Sequence, residues 1–515
     1  WELSFLGNFS QNSYQFTPTE RETTFGTFNI SQVFKVYFDG WEKDLFRTYF
    51  GAFTLNYKPN KDLKLSFLTS AYHTNENETY DIGSSYILSE KKQEMEQTSE
   101  GEVLGIGQYA EHARNTLNAT VANISHLGEY STSHNKINWG ITAQIEQIAD
   151  KISEWKWTDS VGYSLPYDTE NFNLYYSLKS KNNLQSFRAM AYVQDTYKWT
   201  TAAGRWTFIG GVRSNYWNLN NEILVSPRAL IALSPAWKQD FSFRFATGMY
   251  YQAPFYKELR QIVQDEFGVY NVLLNKDLRA QRSLHAVLGG DYYFKAWGRE
   301  FKFTTEAYLK YADRVVSYQI ENVNVRYSGI NDAKAYTAGI DFKLFGELVP
   351  GAETWINFSL MDSKEQIIGK TFVIDKKQHT WIPRPNSQRY VFSMLFQDYL
   401  PNNPKYRLHL RAIFADGMPF SSPNNEQYRA AFHAPSYRRV DIGASRVWER
   451  GKDKLLDTKW LGALKKLQLN VEVFNLLNID NVNSYYWITN IYAEQMAVPN
   501  YLTGRMLNLK LMVDF

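Results

Sequence analysis

Apolar and polar residues alternate along most of this chain with a period of two. Residues 406–414 put Tyr406, Leu408, Leu410, Ala412 and Phe414 on one face and Arg407, His409 and Arg411 on the other. Successive side chains of a strand point to opposite faces, so this is a strand with one apolar and one charged side. The pattern recurs at Phe241, Phe243 and Phe245 around Ser242 and Arg244, and at Phe301, Phe303, Thr305, Ala307 and Leu309 around Lys302, Thr304, Glu306 and Lys310. It returns at Leu467, Leu469, Val471 and Val473 around Gln468, Asn470 and Glu472. Counting such runs predicts about 18 strands, from residues 3–15 to 504–515. A soluble sandwich would have to cover each apolar face with a second sheet. A closed barrel with lipid outside and water inside satisfies the same alternation without that partner.

The spacing between runs supports the barrel. Tight turns are expected at Lys58-Pro59-Asn60-Lys61, Ser133-His134-Asn135, Thr200 to Gly204, Pro235 to Gln239, Trp297-Gly298-Arg299, Leu348 to Gly351 and Pro401 to Pro404. They alternate with long segments rich in Pro, Asn and Gly, at 253–278, 365–386, 418–434 and 476–502. Short turns at one end and long loops at the other are the plan of an outer-membrane barrel. Trp199, Trp206, Trp237, Trp297, Trp355, Tyr399 and Tyr406 bracket the tight turns and are expected to form an aromatic girdle at one interface.

Composition then narrows the function. The 515 residues carry 56 Lys plus Arg against 53 Asp plus Glu, a net charge of +3 that makes no electrostatic case for nucleic acid. Mean hydropathy is -0.45, and no apolar run approaches the ~18 residues of a membrane helix. The chain has no cysteine, which removes disulfides, thiolate metal sites and cysteine nucleophiles. Its 36 Tyr, 33 Phe and 15 Trp are the material of the girdle. The chain opens at Trp1 with neither an initiator Met nor a charged and apolar leader, and reads as a processed or truncated product. Its last run, with Leu507, Leu509, Leu511, Val513 and Phe515 in one phase, looks like a bacterial outer-membrane assembly signal carried by Leu511, Val513 and Phe515.

Past residue 200 an ordered series of motifs appears: Gly211-Val212-Arg213 with Tyr216-Trp217, Ser226-Pro227-Arg228, GMYYQAPFYKEL at 248–259, Asn275 to Leu278 and Gly289 to Phe294. Further on come WIPRPNSQR at 381–389, YRRVDI at 437–442, EVFNLLN at 472–478, NVNSYYW at 481–487 and AVPNYLTGR at 497–505. The series resembles the barrel of TonB-dependent outer-membrane receptors, and its second half the Bacteroidetes branch with a carboxypeptidase-regulatory-like N-terminal domain. Residues 1–160 also read like that branch, so the resemblance covers the whole chain as one barrel domain, 1–515.

The resemblance implies an all-β transmembrane antiparallel barrel of 22 strands, of which about 18 are seen here, with a plug and the first strands absent from this chain. It implies residence in the bacterial outer membrane among lipid and lipopolysaccharide. It further implies import of a scarce siderophore, cobalamin, glycan or peptide, coupled to TonB through the missing N-terminal region, and a surface lipoprotein lid. A passive porin and a structural barrel of a larger envelope complex are the alternative readings. No cofactor and no enzymatic step are expected.

Candidate chemistry is sparse. His73, His112, His126, His134, His285, His379, His409 and His433 show no metal-cage spacing. Gly105-Ile106-Gly107 lacks the Lys-Ser or Lys-Thr of a phosphate loop, and the acidic tract 90–102 lacks calcium-loop order. Ligand contact is expected instead from aromatics at the loop ends of strands: Trp217, Tyr250, Tyr251, Tyr486 and Trp487, with Arg384 and Arg439 as anion contacts. Alternation from Phe245 points Tyr251 outward and Tyr250 inward.

Overall fold

The computed structural model describes residues 1–17, 20–26, 31–90, 102–159, 174–264, 270–321, 324–349, 352–400, 403–422, 425–458, 461, 464–489 and 495–514. Among the described residues, eighteen long antiparallel strands, each paired with its neighbour in chain order, form the wall of a sheet that also takes in four short segments. They are β1 Glu2–Phe16, β2 Ser31–Tyr57, β3 Leu63–Glu90, β4 Val103–Ser131, β5 Asn135–Asp159 and β6 Leu174–Thr201. Next come β7 Gly204–Trp217, β8 Glu222–Pro235, β9 Asp240–Gln252, β10 Gln281–Ala296, β11 Arg299–Val315 and β12 Ala333–Val349. The series closes with β13 Ala352–Ile367, β14 Tyr390–Leu400, β15 Asn403–Ala415, β16 Tyr437–Glu449, β17 Lys466–Phe474 and β18 Met506–Asp514. The expected strand count is met, and the short segment Arg21–Gly26 continues β1 along β2.

Five of the seven expected tight connections lie wholly within the described residues and at one end of the sheet, while the turns expected at Leu348 to Gly351 and Pro401 to Pro404 fall partly outside the described residues. Their chemistry is local. Asn60 accepts hydrogen bonds on Oδ1 from the N–H groups of Asp62 and Leu63 at 3.0 and 2.8 Å, closing the β2–β3 turn where Pro59 removes a ladder donor. An eighth connection at this end, between β16 and β17, is longer and has no tight-turn signal. The opposite end carries the long segments, with one exception: β7 and β8 join through residues 218–221.

Trp199 and Trp206 face each other across β6 and β7 with ring centroids 5.9 Å apart, and Trp237 packs on Phe241 and Phe243. Trp355 and Tyr399 depart from the expected girdle. Trp355 is in phase with Asn357 and Ser359, and the Tyr399 hydroxyl accepts from Arg407 at 2.8 Å, so both lie on the inward face.

The longest strands reveal why the alternation is not uniform. Strands β2 to β6 run 25–29 residues, far beyond the ~10 that cross a bilayer. On β6, Ala189, Ala191 and Val193 point outward with Arg188 inward. Fourteen residues of β6, from Leu174 to Phe187, rise past the end of β7. There Leu178, Leu184 and Ser186 are buried inward while Lys179, Lys181, Asn183 and Gln185 are exposed outward. The phase of the pattern inverts within one strand because the medium outside changes from lipid to water.

At the mouth the hairpin between β17 and β18 packs against β2 to β4. Val498, from the hairpin between β17 and β18, is 1% exposed and packs with Phe34 and Val36 of β2, Tyr86 and Leu88 of β3, and Leu104 of β4. No ladder joins β1 to β18 among the described residues, and nearly every side chain of β1 is exposed on both faces.

Candidate ligand-binding site

The raised strands hold the loops. Segment 253–280 begins with a single helical turn, Tyr256–Leu259, and a hairpin of Arg260–Gln264 with Tyr270–Leu274. Asp150, buried on the inner face of β5, accepts from the Tyr256 hydroxyl and from Arg260, each at 2.8 Å. Burial and the Asp150 charge push the Tyr256 hydroxyl up, so it stays a neutral donor. Leu184, Trp217, Leu259, Leu278 and Val316 complete an apolar cluster behind this anchor.

The same inner face carries carboxylates on four adjacent strands: Glu42 and Asp44, Glu78, Glu111, and Glu154. Asp44 and Glu78 are direct register partners, and Asn115 donates to both Glu78 and Glu154 at 3.0 and 2.7 Å. Burial first, and then the neighbouring acids, push the carboxyls of Glu42, Asp44 and Glu154 up. Lys156 balances Glu111 at 2.5 Å.

On the opposite side of the mouth, four loops enclose a cavity of about 290 Å³. Tyr318 comes from segment 316–332, Pro383 and Pro385 from 368–389, Phe420 and Arg429 from 416–436, and Tyr485 and Trp487 from 475–505. Phe420 is the hub: its ring stacks on Tyr485 at 4.2 Å, on Phe432 at 5.4 Å, and lies 6.2 Å from Trp487. Two short hairpins present these rings, Pro419–Phe420 with Phe432–His433 and Val482–Thr489 with Gln495–Tyr501.

Beneath the rings lies a buried ionic knot. Glu365 is fully buried at the top of β13; Arg429 donates to it at 2.8 Å and Arg384 approaches at 3.5 Å. Arg429 also donates to the Tyr318 carbonyl at 2.8 Å. Burial pushes the Glu365 carboxyl up against the opposing pull of both arginines. The arrangement is a rigid, mainly apolar and aromatic cleft with charge below, suited to stacking a flat or ring-bearing molecule.

The sequence candidates are distributed around this cleft rather than gathered in it. Trp487 lines it, and Arg384 supports it from below through Glu365. Tyr486 lies in the same hairpin, opposite Val498 in register; its side chain lies outside the described residues, as do Phe515 and most of the acidic tract 90–102. Arg439 is held on the inward face by Asp441 at 2.7 Å, with its guanidinium over Phe474. Tyr250 points inward, stacked on His285 at 4.4 Å and beneath Arg228 at 4.2 Å. Tyr251 is outward, opposite Arg282, which pairs with Asp313. Trp217 is a packing residue: it is 2% exposed, with Arg188 over its ring at 4.2 Å. Leu511 and Val513 sit on the outward face of β18, opposite Leu469 and Leu467. Phe420, Tyr485 and the Glu365–Arg429 pair carry no periodic signal and were not legible as a site.

The model of a family described as TonB dependent receptor-like, beta-barrel, matches residues 2–476. Three solved structures share the fold at low identity. The outer membrane transporter YddB from Escherichia coli superposes with a TM-score of 0.54 at 12% identity, covering 98% of this chain and 75% of that one. The ferric yersiniabactin uptake receptor FyuA from Yersinia pestis gives 0.53 at 11%, covering 99% and 80%. A ferric enterobactin receptor from Pseudomonas aeruginosa gives 0.52 at 11%, covering 99% and 78%. A curated RxLR effector protein of Phytophthora infestans (strain T30-4) is 26% identical over 162 residues. That match spans 28% of this chain and 42% of the effector, too little to carry a family.

Proposed function

Because the chain belongs to the TonB-dependent receptor-like β-barrel family, we propose that it forms the wall and mouth of an energised outer-membrane importer. The observation that carries this reading is the family match over residues 2–476 on a sheet with a lipid-facing exterior and a charged interior. The polar inward ladder suits a wet lumen: Arg244 donates to Asp291 and Glu306, each at 2.7 Å, on the face opposite Phe243 and Phe245. The protein is a multi-pass barrel of the bacterial outer membrane, and energy reaches it through TonB.

We base a longer wall on the family alone: a strand edge in lipid leaves backbone N–H and C=O groups without partners, at several kcal/mol per group, and the further strands and plug of a family-sized barrel are part of this reading. Intact mass of the mature protein, purified from outer membranes, tests this. A mass roughly 20–30 kDa above the 60.1 kDa of the present chain is expected for a plug and a few strands; a mass equal to it contradicts the gated reading and leaves a passive or partner-sealed barrel.

The cleft around Phe420 is the outer ligand subsite. Two neighbours in fold are a ferric enterobactin receptor and a ferric yersiniabactin uptake receptor, and a stacking cleft suits an aromatic chelate as well as sugar or peptide rings. Phe420→Ala and Trp487→Ala are each expected to weaken ligand binding about fivefold, from the ~1 kcal/mol of a lost ring contact, as measured by calorimetry on the full-length protein. Unchanged affinity in both variants removes the cleft from the binding path. The motif series at 381–389, 472–478 and 497–505 supports assignment to the Bacteroidetes branch, with a surface lipoprotein lid over the mouth; its test is co-purification of a lipoprotein under mild detergent.

A further inference from the structure

The buried knot beneath the cleft holds donors that its own partners do not use. Asn425 caps a short turn, Glu426–Tyr428, by accepting from the Gln427 N–H at 3.1 Å, and Arg429 follows directly. Ala430 then takes a φ of +52°, in the left-handed region that a residue with a Cβ rarely adopts, and its N–H donates to the Ser421 hydroxyl at 3.0 Å. Such strain persists where the surroundings fix it, and here it turns the chain straight after Arg429. That residue is 5% exposed and yet lines the cavity.

Both hydrogen bonds of this guanidinium leave from Nη2, to the Tyr318 carbonyl and to Glu365, each at 2.8 Å. A guanidinium carries N–H groups on all three nitrogens, so those of Nε and Nη1 stay without a partner among the described residues. A charged donor withdrawn from bulk water gains more from a bound acceptor than one on an open surface does. The charges point the same way, since Arg384 and Arg429 stand against the single carboxylate of Glu365. Asp416 also lines the cavity; its carboxylate accepts from the backbone N–H groups of Gly417 and Arg389 at 3.0 and 3.2 Å. One negative charge on a ligand is therefore matched, and a second would be repelled by Asp416.

We infer that the cleft seats a flat ring bearing one carboxylate, with the ring against Phe420, Tyr485 and Trp487 and the carboxylate accepting from Nε or Nη1 of Arg429. The assignment rests on the cleft being the ligand subsite, and it narrows the ligand class: a neutral sugar or a neutral ring leaves the arginine donors unmet. Size sets a further bound. A cavity of about 290 Å³ is at the small end of ligand pockets, so it takes one or two fused rings rather than a whole macrocycle.

The test compares naphthoate, naphthamide and naphthylmethylammonium, which share their rings and differ in charge, as ligands of the full-length protein in detergent, with Kd values from NMR titration. A charge-assisted hydrogen bond in a sheltered site is expected to favour naphthoate over naphthamide about tenfold. Arg429→Lys keeps a cation against Glu365 but removes the open guanidinium donors, and the naphthoate advantage is expected to fall to about twofold or less. Limited proteolysis of segment 416–436 verifies that the loop is docked in this variant; where it is not, the wild-type order of the probes decides alone. Equal affinity for naphthoate and naphthamide, both weakened by Phe420→Ala, overturns the carboxylate inference and leaves the cleft reading standing. Naphthoate binding unchanged by Phe420→Ala places the anion elsewhere and overturns both, as does a lack of binding by all three probes. Tightest binding of the ammonium probe overturns the inference in favour of a cation at Asp416.

Discussion

Glu365 and Arg429 show how a single pair can organise the mouth. They lie 64 positions apart in sequence, one on a wall strand and one on a loop, and both are almost entirely buried. Removing one member of a buried pair leaves an uncompensated charge, so Arg429→Met is expected to destabilise loop docking by about 3–5 kcal/mol. Adding Glu365→Gln to it should restore most of that loss; limited proteolysis of segment 416–436 reads both. A pH dependence follows from burial. The folded carboxyl of Glu365 lies above its ordinary value, so between the two values the docked state holds a proton that the undocked state lacks. Docking is therefore expected to tighten as pH falls through that window, and to weaken as pH rises through it. Protease sensitivity of the wild type should follow that trend more steeply than Glu365→Gln; identical profiles contradict it.

At the scale of elements, the wall was legible and the cleft was not, for a physical reason. A wall strand meets lipid on one face and water on the other, so burial writes a period of two into the sequence, as in Phe241, Phe243 and Phe245. Even the failures at Trp355 and Tyr399 concern which face a girdle residue takes, not the strand that bears it. The raised parts of β2 to β6 invert that pattern, and a count of alternation alone does not see the change of phase. The strands of the loop hairpins are two to eight residues long and meet partners from four separate segments, so no local period marks Phe420 or Tyr485. Gly417 is one position whose residue type is dictated by this packing: a Cβ there would stand 1.6 Å from the carbonyl oxygen of Ala434. Gly417→Ala is expected to displace the hairpin carrying Phe420 and to abolish ligand binding at the cleft while leaving the barrel heat-modifiable on gels. Full binding in that variant would show that the hairpin is dispensable.

The whole molecule is a charge-sorted wall. Below the mouth, Arg244, Asp291, Glu306 and Lys302 pair on the inward face, and the outward face carries Phe and Leu. Above, acids face inward and lysines outward. Such a wall serves an energised importer only if transport through it requires TonB. The most direct measurement is depletion of scarce nutrients from the medium by three strains: the parent, one lacking this protein, and one lacking TonB. At least one solute that the parent removes and neither mutant removes is expected. A solute whose uptake is lost without this protein but persists without TonB would contradict it and identify a passive pore.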